Sequence, residues 1–314
     1  MIDSMSRAVV ATAYGGPDVL RIVDVDPGEP GPEQVLVEVR AAGINPADWK
    51  AYSGASGTDA SRLPMRLGYE AAGTVLTAGP GVDGVAPGDD VLFQRSGAYA
   101  ERLVVKAENV VRKPAALSWA RAGGLLVVGS TAMHTVVATR VGSGDTVLVH
   151  GAAGGVGSMA VQLARVRGAR VIGTASVANH EYLLDIGATP VAYGPGLADR
   201  VRALAPRGVD AAIDTVGTNE ALDVSIALVK DRHRIATVAA FGRAPALRIQ
   251  LLGHGPHADP GDDIRAAARP TLVDLVATGR IDVRIAGTYP LEQVARAHRV
   301  GLAGHVHGKL VLVR

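Results

Sequence analysis

Two patterns of apolar and polar positions divide the chain. From residue 7 to about residue 117, short β-branched runs at 8–12, 19–23, 34–40, 71–76 and 90–93 alternate with turn residues and read as strands. Glycine and proline punctuate them at Gly15, Gly16, Pro17, Pro27, Gly28, Pro30, Gly31, Pro32, Pro87 and Gly88, which predicts an all-β unit with few helices. Around Trp119 the texture changes to Ala/Leu/Val runs without proline, and from Thr146 onward strands and helices alternate. Strands are expected at 147–150, 170–174, 191–193, 210–214, 234–239 and 247–252. Helices are expected at 158–167, 179–186, 197–205 and 219–229. Strands linked by crossover helices predict an α/β doubly wound parallel sheet. Beyond Asp259 follow a helical stretch to Thr278, a strand at 281–285, a helix at 291–299 and a closing strand at 309–313. This tail shares the texture of the first half, so the chain is expected to return and complete it, with boundaries at 1–122, 123–262 and 263–314.

The junction at 146–167 carries the clearest chemistry. A β-branched run is followed by Ala152, Ala153 and Gly154-Gly155-Val156-Gly157, then by an apolar period near 3.6: strand, tight loop, helix. In such a unit Gly154 and Gly155 let backbone approach a pyrophosphate. Gly157 lets the helix close on the strand, and the first-turn N–H groups receive the anion. Ala152 stands at the first position of a strict Gly-x-Gly-x-x-Gly, so the loop is a variant of that fingerprint.

Composition removes several classes. With 314 residues the chain is long enough for two cores, and a net charge of +2 spread along it gives no support for nucleic-acid binding. The absence of cysteine excludes disulfides, thiolate metal sites and a cysteine nucleophile. No run reaches the roughly 18 apolar residues that a membrane span requires, and residues 1–17 lack the apolar core of a signal peptide. A cytoplasmic enzyme without a membrane partner is the expectation. Met1 to Ser4, ahead of Met5, read as an alternative start. The nine histidines show no helix-face spacing among His254, His257, His305 and His307, so no metal site is expected.

With these pieces placed, the sequence resembles the medium-chain dehydrogenase/reductase superfamily, in its zinc-free NADPH:quinone oxidoreductase branch. The residues that carry the resemblance are Ala41 to Lys50, Leu67 to Val75 with Gly81, Val82 and Pro87 to Asp89, the Gly154 to Gly157 loop, Asp214 to Gly217, and Gly304 to Leu312. The resemblance implies a GroES-like β domain interrupted by a Rossmann domain. Zinc-dependent members carry a cysteine and a His-Glu pair where this chain has Asn45 and Tyr69-Glu70, neither of which completes a tetrahedral zinc set.

The same resemblance implies NADPH as cofactor. An acidic residue that would read the 2′-OH of NAD is replaced by Ser176, and nothing acidic follows until Glu181. The 2′-phosphate would be held by Ser176, His180 and Tyr193. The competing roles are a helix cap for Ser176 and an interior aromatic for Tyr193. Other implied contacts are Thr131 near the nicotinamide, Val216 and Gly217 beside the ribose, backbone of Val238 and Ala239 at the carboxamide, and Lys309 at the cofactor's outer edge. For Val238 and Ala239, plain strand burial is the alternative. Without a Lewis acid, hydride acceptors that need little polarisation are favoured: quinones and activated enones, whose developing charge hydrogen bonds can stabilise. Candidate donors are Asn45, Lys50, Tyr52 and Tyr69. Asn45 is equally a turn residue ahead of Pro46, and Asp48 is expected to orient backbone. An enoyl-thioester reductase and a non-catalytic NADPH-binding protein are the alternatives. Relatives imply a homodimer formed through an edge strand at 246–252, and the segment 242–260 is either a substrate gate or an ordinary mobile loop.

Overall fold

The computed structural model describes residues 5–55, 57–304 and 306–314. Residues 1–4 and His305 of the Gly304 to Leu312 motif lie outside the described residues. The chain forms two compact units, Met1–Val127 joined by Val283–Arg314, and Val128–Asp282.

The first unit contains β1 (Ser6–Ala11), β2 (Leu20–Val25), β3 (Gln34–Ile44), α1 (Pro46–Tyr52), β4 (Met65–Arg66), β5 (Glu70–Ala78), β6 (Asp90–Gln94), β7 (Arg102–Lys106), β8 (Val110–Arg112) and α2 (Trp119–Gly123). In β3, Val35, Val37 and Val39 are buried while Glu38 and Arg40 are not, the period of a strand with one wet face. Each such side chain taken fully out of water contributes roughly 1.5–3 kcal/mol. Residues Ala41 to Ile44 are buried throughout, because from there on β3 has structure on both sides.

Helix α1 departs from the all-β expectation. Asn45 has extended backbone, Pro46 occupies the first turn, and Asp48 Oδ2 accepts the Asn45 N–H at 2.7 Å, so the start signal is complete.

The second unit contains α3 (Leu126–Ala138), which begins at the junction, then β9 (Thr146–His150), α4 (Gly155–Val166), β10 (Arg170–Ala175), α5 (His180–Asp185), β11 (Thr189–Ala192), α6 (Leu197–Leu204), β12 (Ala211–Asp214), α7 (Asn219–Leu228), β13 (Ile235–Thr237), α8 (Ala244–Leu247), β14 (Gln250–Leu251) and α9 (Asp262–Ala277). Its six strands run parallel in the order β11-β10-β9-β12-β13-β14. The chain reverses direction across the sheet at β9, so the loop after β9 sits at the switch point where such sheets bind ligands.

The first unit then resumes with β15 (Ile285–Pro290), α10 (Val294–Leu302) and β16 (Lys309–Val313). Its main sheet runs β15-β16-β3-β5-β6-β8, with β7 also on β3, and a smaller sheet runs β2-β1-β4. Strand β16 lies antiparallel to β3, with Leu310 opposite Ile44 and Val313 opposite Ala41.

Three expectations are corrected. The return begins at Val283 rather than residue 263, because α9 buries Ala268, Leu272, Val273 and Leu275 within the second unit. A Cβ on Gly129 of α3 would lie 2.8 Å from Leu272, so the two helices pack closely there. The strand expected at 234–239 stops at Thr237, leaving Val238 and Ala239 in a bend. The edge strand expected at 246–252 contains only Gln250 and Leu251, since its first residues close α8.

Candidate functional site

In the second unit the candidate cofactor residues collect at the carboxyl ends of the strands. After β9 the chain turns through Gly151 to Gly154 and enters α4, whose cap residue Gly154 has extended backbone and no side-chain cap. The N–H groups of Gly155, Val156 and Gly157 have no partner among the described residues, which leaves three donors at the positive end of a helix dipole. Gly157 is required sterically: a Cβ there would sit 2.1 Å from the Gly151 carbonyl oxygen. A Cβ on Gly154 would come 3.3 Å from the same carbonyl oxygen, a tight contact but a far milder one than at Gly157. The loop therefore fits the pyrophosphate of a dinucleotide.

Ser176 and Tyr193 follow Ala175 and Ala192, which are opposite each other in the β10–β11 ladder, so each is the first residue beyond one of two adjacent strand ends. Tyr193 is 60% exposed, which removes its reading as an interior aromatic. Ser176 opens a 3-10 turn without capping it through its side chain, and its Oγ accepts from Asn179 Nδ2 at 2.8 Å. His180 is half-buried, and its Nε2 is shielded from water without a partner.

At the ends of β12 and β13 the buried Asp214 carboxylate accepts the N–H groups of Val216 and Gly217, both at 3.0 Å, and the Thr237 hydroxyl at 2.6 Å. Thr237 Oγ1 in turn accepts from Ala239 and Ala240. The Val238 N–H goes to the Asp214 carbonyl. Backbone of Val216, Gly217, Val238 and Ala239 can therefore offer only carbonyls to a ligand, the N–H groups being spent. His150, at the end of β9, is held down at about 4 by burial and stays neutral. Thr131, half-buried on α3, accepts a hydrogen bond from Arg265 at 2.7 Å.

The first unit holds a buried polar network that includes Asn45, Tyr52 and Lys309. Lys309 Nζ donates to Asn45 Oδ1 at 2.7 Å, Glu70 Oε1 at 2.8 Å and the Ile44 carbonyl at 2.9 Å. Asn45 Nδ2 donates to Glu70 Oε1 and to the Gly43 carbonyl, and Glu70 Oε2 accepts the Val127 N–H. A Cβ on Gly43 would lie 2.4 Å from Glu70 Oε1, so glycine there makes room for the carboxylate. Lys309 is thus corrected from a cofactor-edge residue to an interior one: it is 3% exposed and all three of its hydrogens have protein acceptors. Asn45 is likewise 2% exposed, with both amide hydrogens and its oxygen engaged.

A second chain of hydrogen bonds meets this one at Asp48. Tyr52 Oη lies 2.7 Å from His298 Nδ1, His298 Nε2 lies 3.4 Å from Tyr99 Oη, and Tyr99 donates to Asp48 Oδ2 at 2.8 Å. Asp48 also accepts from the N–H groups of Asn45 and Gly68. Burial lifts the Asp48 carboxyl to about 7 against these three donors, and holds His298 down at about 4. Tyr52, 1% exposed and stacked on His298, is corrected from a donor for substrate to part of this interior. Lys50 is exposed on the last turn of α1.

Tyr69 differs from the other three candidates: it is half-buried, no hydrogen bond engages its hydroxyl among the described residues, and burial, with the Asp48 charge second, raises its pKa. Glu70, Tyr99, His298, Asp214 and Thr237 were not singled out as site residues from sequence. Only the strand-end position of Asp214 before Thr215 and Gly217 was visible there.

Comparison with known proteins identifies the family. Residues 31–115 match the alcohol dehydrogenase GroES-like domain family, and residues 155–254 match the zinc-binding dehydrogenase family. A quinone oxidoreductase of Pseudomonas aeruginosa is 31% identical over 328 residues, covering 98% of this chain and all of that protein. The synaptic vesicle membrane protein VAT-1 homolog of Rattus norvegicus is 32% identical over 343 residues, covering 98% of this chain and 84% of that one. The crystal structure of Escherichia coli quinone oxidoreductase complexed with NADPH superimposes with a TM-score of 0.85 at 27% identity, over 98% of this chain and 100% of that one.

The residues here do not fit the metal that one family description implies. Asn45 and Glu70 bind an ammonium, and among the described residues no three His, Cys, Asp or Glu side chains converge. They do fit a dinucleotide, through the three free N–H groups at the start of α4. The chain is an oxidoreductase and belongs to the quinone oxidoreductase branch of the medium-chain dehydrogenase/reductase superfamily.

Proposed function

We propose that the chain reduces quinones or activated enones with NADPH and without a metal. The observation that carries the cofactor choice is the end of β10, where Ser176 stands in place of a carboxylate, beside the exposed Tyr193. A carboxylate about 4 Å from a 2′-phosphate would cost on the order of 4 kcal/mol at an effective dielectric near 20. Ser176 imposes no such repulsion and offers a hydroxyl.

The bound reduced nicotinamide supplies the hydride. The chain's own residues bind and orient. The N–H groups of Gly155, Val156 and Gly157 hold the pyrophosphate, Ser176, His180 and Tyr193 hold the 2′-phosphate, and carbonyls of Val216, Gly217, Val238 and Ala239 with Thr131 line the ribose and nicotinamide. Tyr69 is protonated at neutral pH as any tyrosine is, and burial raises its pKa further, so its hydroxyl is a donor to oxygen where charge develops as hydride reaches a conjugated carbon. Asn45 contributes by holding Lys309 and Glu70 in place rather than by donating to the acceptor.

Ser176→Asp tests the reading. With 9,10-phenanthrenequinone as acceptor and nicotinamide absorbance as readout, the KM for NADPH is expected to rise at least tenfold while that for NADH changes little. Equal effects on both cofactors would refute the 2′-phosphate site, and no turnover of any quinone or enone by the wild type would refute the acceptor class.

A further inference from the structure

Two arginines that flank the Tyr69 backbone have no counter-charge among the described residues. Arg66 ends β4, and its Nε and Nη2 are shielded from water without a hydrogen-bond partner. Arg95 follows β6 and is exposed. Neither forms an ion pair or a side-chain hydrogen bond among the described residues. They are brought together by backbone: the Arg95 N–H donates to the Tyr69 carbonyl at 3.0 Å, Gly97 to the Gly68 carbonyl at 2.9 Å and Tyr99 to the Leu67 carbonyl at 2.9 Å. The segment 95–99 is thereby zipped along 67–69. The Arg66 stem crosses this turn, since a Cβ on Gly97 would come 3.4 Å from Arg66 Nε. Arg62 lies close enough for its charge to act on Tyr69.

This is an unfavourable arrangement for folding alone. A guanidinium with two nitrogens removed from water and no acceptor loses hydration without compensation, and a second cation beside it adds repulsion. Both effects depress the Arg66 pKa, burial first and Arg95 second. The buried Lys309 of the same unit, by contrast, is matched by Glu70. A planar oxyanion would satisfy what this pair lacks, because guanidinium groups bind carboxylates through paired N–H donors.

We propose that Arg66 and Arg95 form an anion subsite beside Tyr69 that receives a carboxylate carried by the electron acceptor. The inference rests on the reading of Tyr69 as the residue that faces the acceptor, and it narrows the substrate class to enones or quinones bearing a carboxylate.

The test compares 4-oxopent-2-enoic acid with its methyl ester, which share one enone and differ in charge at neutral pH. In Arg66→Gln and in Arg95→Gln, kcat/KM for the acid is expected to fall at least tenfold relative to the ester, with partial recovery in Arg66→Lys. An acid-to-ester ratio unchanged in both variants would overturn the subsite. Arg95 is exposed, so its variant remains informative if Arg66→Gln does not fold. If the wild type reduces neither compound, turnover of 9,10-phenanthrenequinone separates loss of this enone from failure of the acceptor class proposed above. Calorimetric titration of the acid into NADPH-loaded protein then decides the subsite: tenfold weaker binding in Arg95→Gln supports it, and binding that is equal or absent in the wild type and the variant overturns it.

Discussion

Lys309→Met removes the cation from the interior of the first unit while keeping most of the side-chain volume. The ion pair it breaks spans 2.8 Å, with side chains 4% and 1% exposed. At an effective dielectric near 20, that separation corresponds to about 6 kcal/mol of attraction, offset in the wild type by the desolvation of both ions. Removing one partner strands Glu70, which retains only the Asn45 amide and the Val127 N–H, and typically costs about 3–5 kcal/mol. At roughly 2–4 °C per kcal/mol for a domain of this size, the melting temperature of the variant should fall by roughly 6–20 °C. Replacing both members, Lys309→Met with Glu70→Gln, should recover most of the loss, because no uncompensated charge remains. Thermal and urea unfolding followed by circular dichroism, run as a double-mutant cycle, measures both. A single variant within about 1 kcal/mol of wild type, or a double variant as unstable as the sum of the singles, would refute the view that charge compensation holds this network together.

Two further outcomes are expected. Gly157→Ala should lower both melting temperature and cofactor affinity, because its Cβ meets the Gly151 carbonyl oxygen. Gly154→Ala should weaken cofactor binding while lowering the melting temperature much less than Gly157→Ala does, and an equal loss of stability in both would contradict the loop geometry. His298, neutral in the fold with a pKa near 4 against an ordinary value of 6.5, contributes stability that is present above pH 6.5 and lost as pH falls toward 4. Between pH 7 and pH 5 this amounts to about 2 kcal/mol from His298 alone. Buried His150 acts with the same sign, and Asp48, raised to about 7, with the opposite one. Urea midpoints should therefore shift less between these pH values in His298→Gln than in wild type, and an identical shift would remove His298 as the titrating group.

Sequence periodicity exposed those parts of the fold where a single face is buried. The alternation of Val35, Val37 and Val39 and the strand, loop and helix from Thr146 to Val166 are of this kind. Helix α3 has apolar residues on nearly every side and therefore no period to detect. Helix α1 did announce itself, through Asn45, Pro46 and Asp48, but its seven residues are too few for a period to outweigh the strands around it. The buried network was illegible for a different reason. Glu70 and Lys309 are separated by 239 positions, and only the pairing of β16 with β3 brings them together. From sequence, Asn45 looked free to meet a ligand, because the lysine that saturates it could not be placed.

The position of β16 has a consequence for synthesis. It pairs with β3 and β15 inside the main sheet of the first unit, yet its residues are translated after the whole of the second unit. Until they arrive, β3 presents an unpaired edge at Ala41 to Ile44, and Glu70 has no cation to meet it. The nucleotide-binding unit has all its strands in hand by then and can fold on the ribosome ahead of the unit that began first. A nascent chain stalled short of Lys309 would thus carry a finished second unit beside an open sheet, the state in which chaperones would have most to protect.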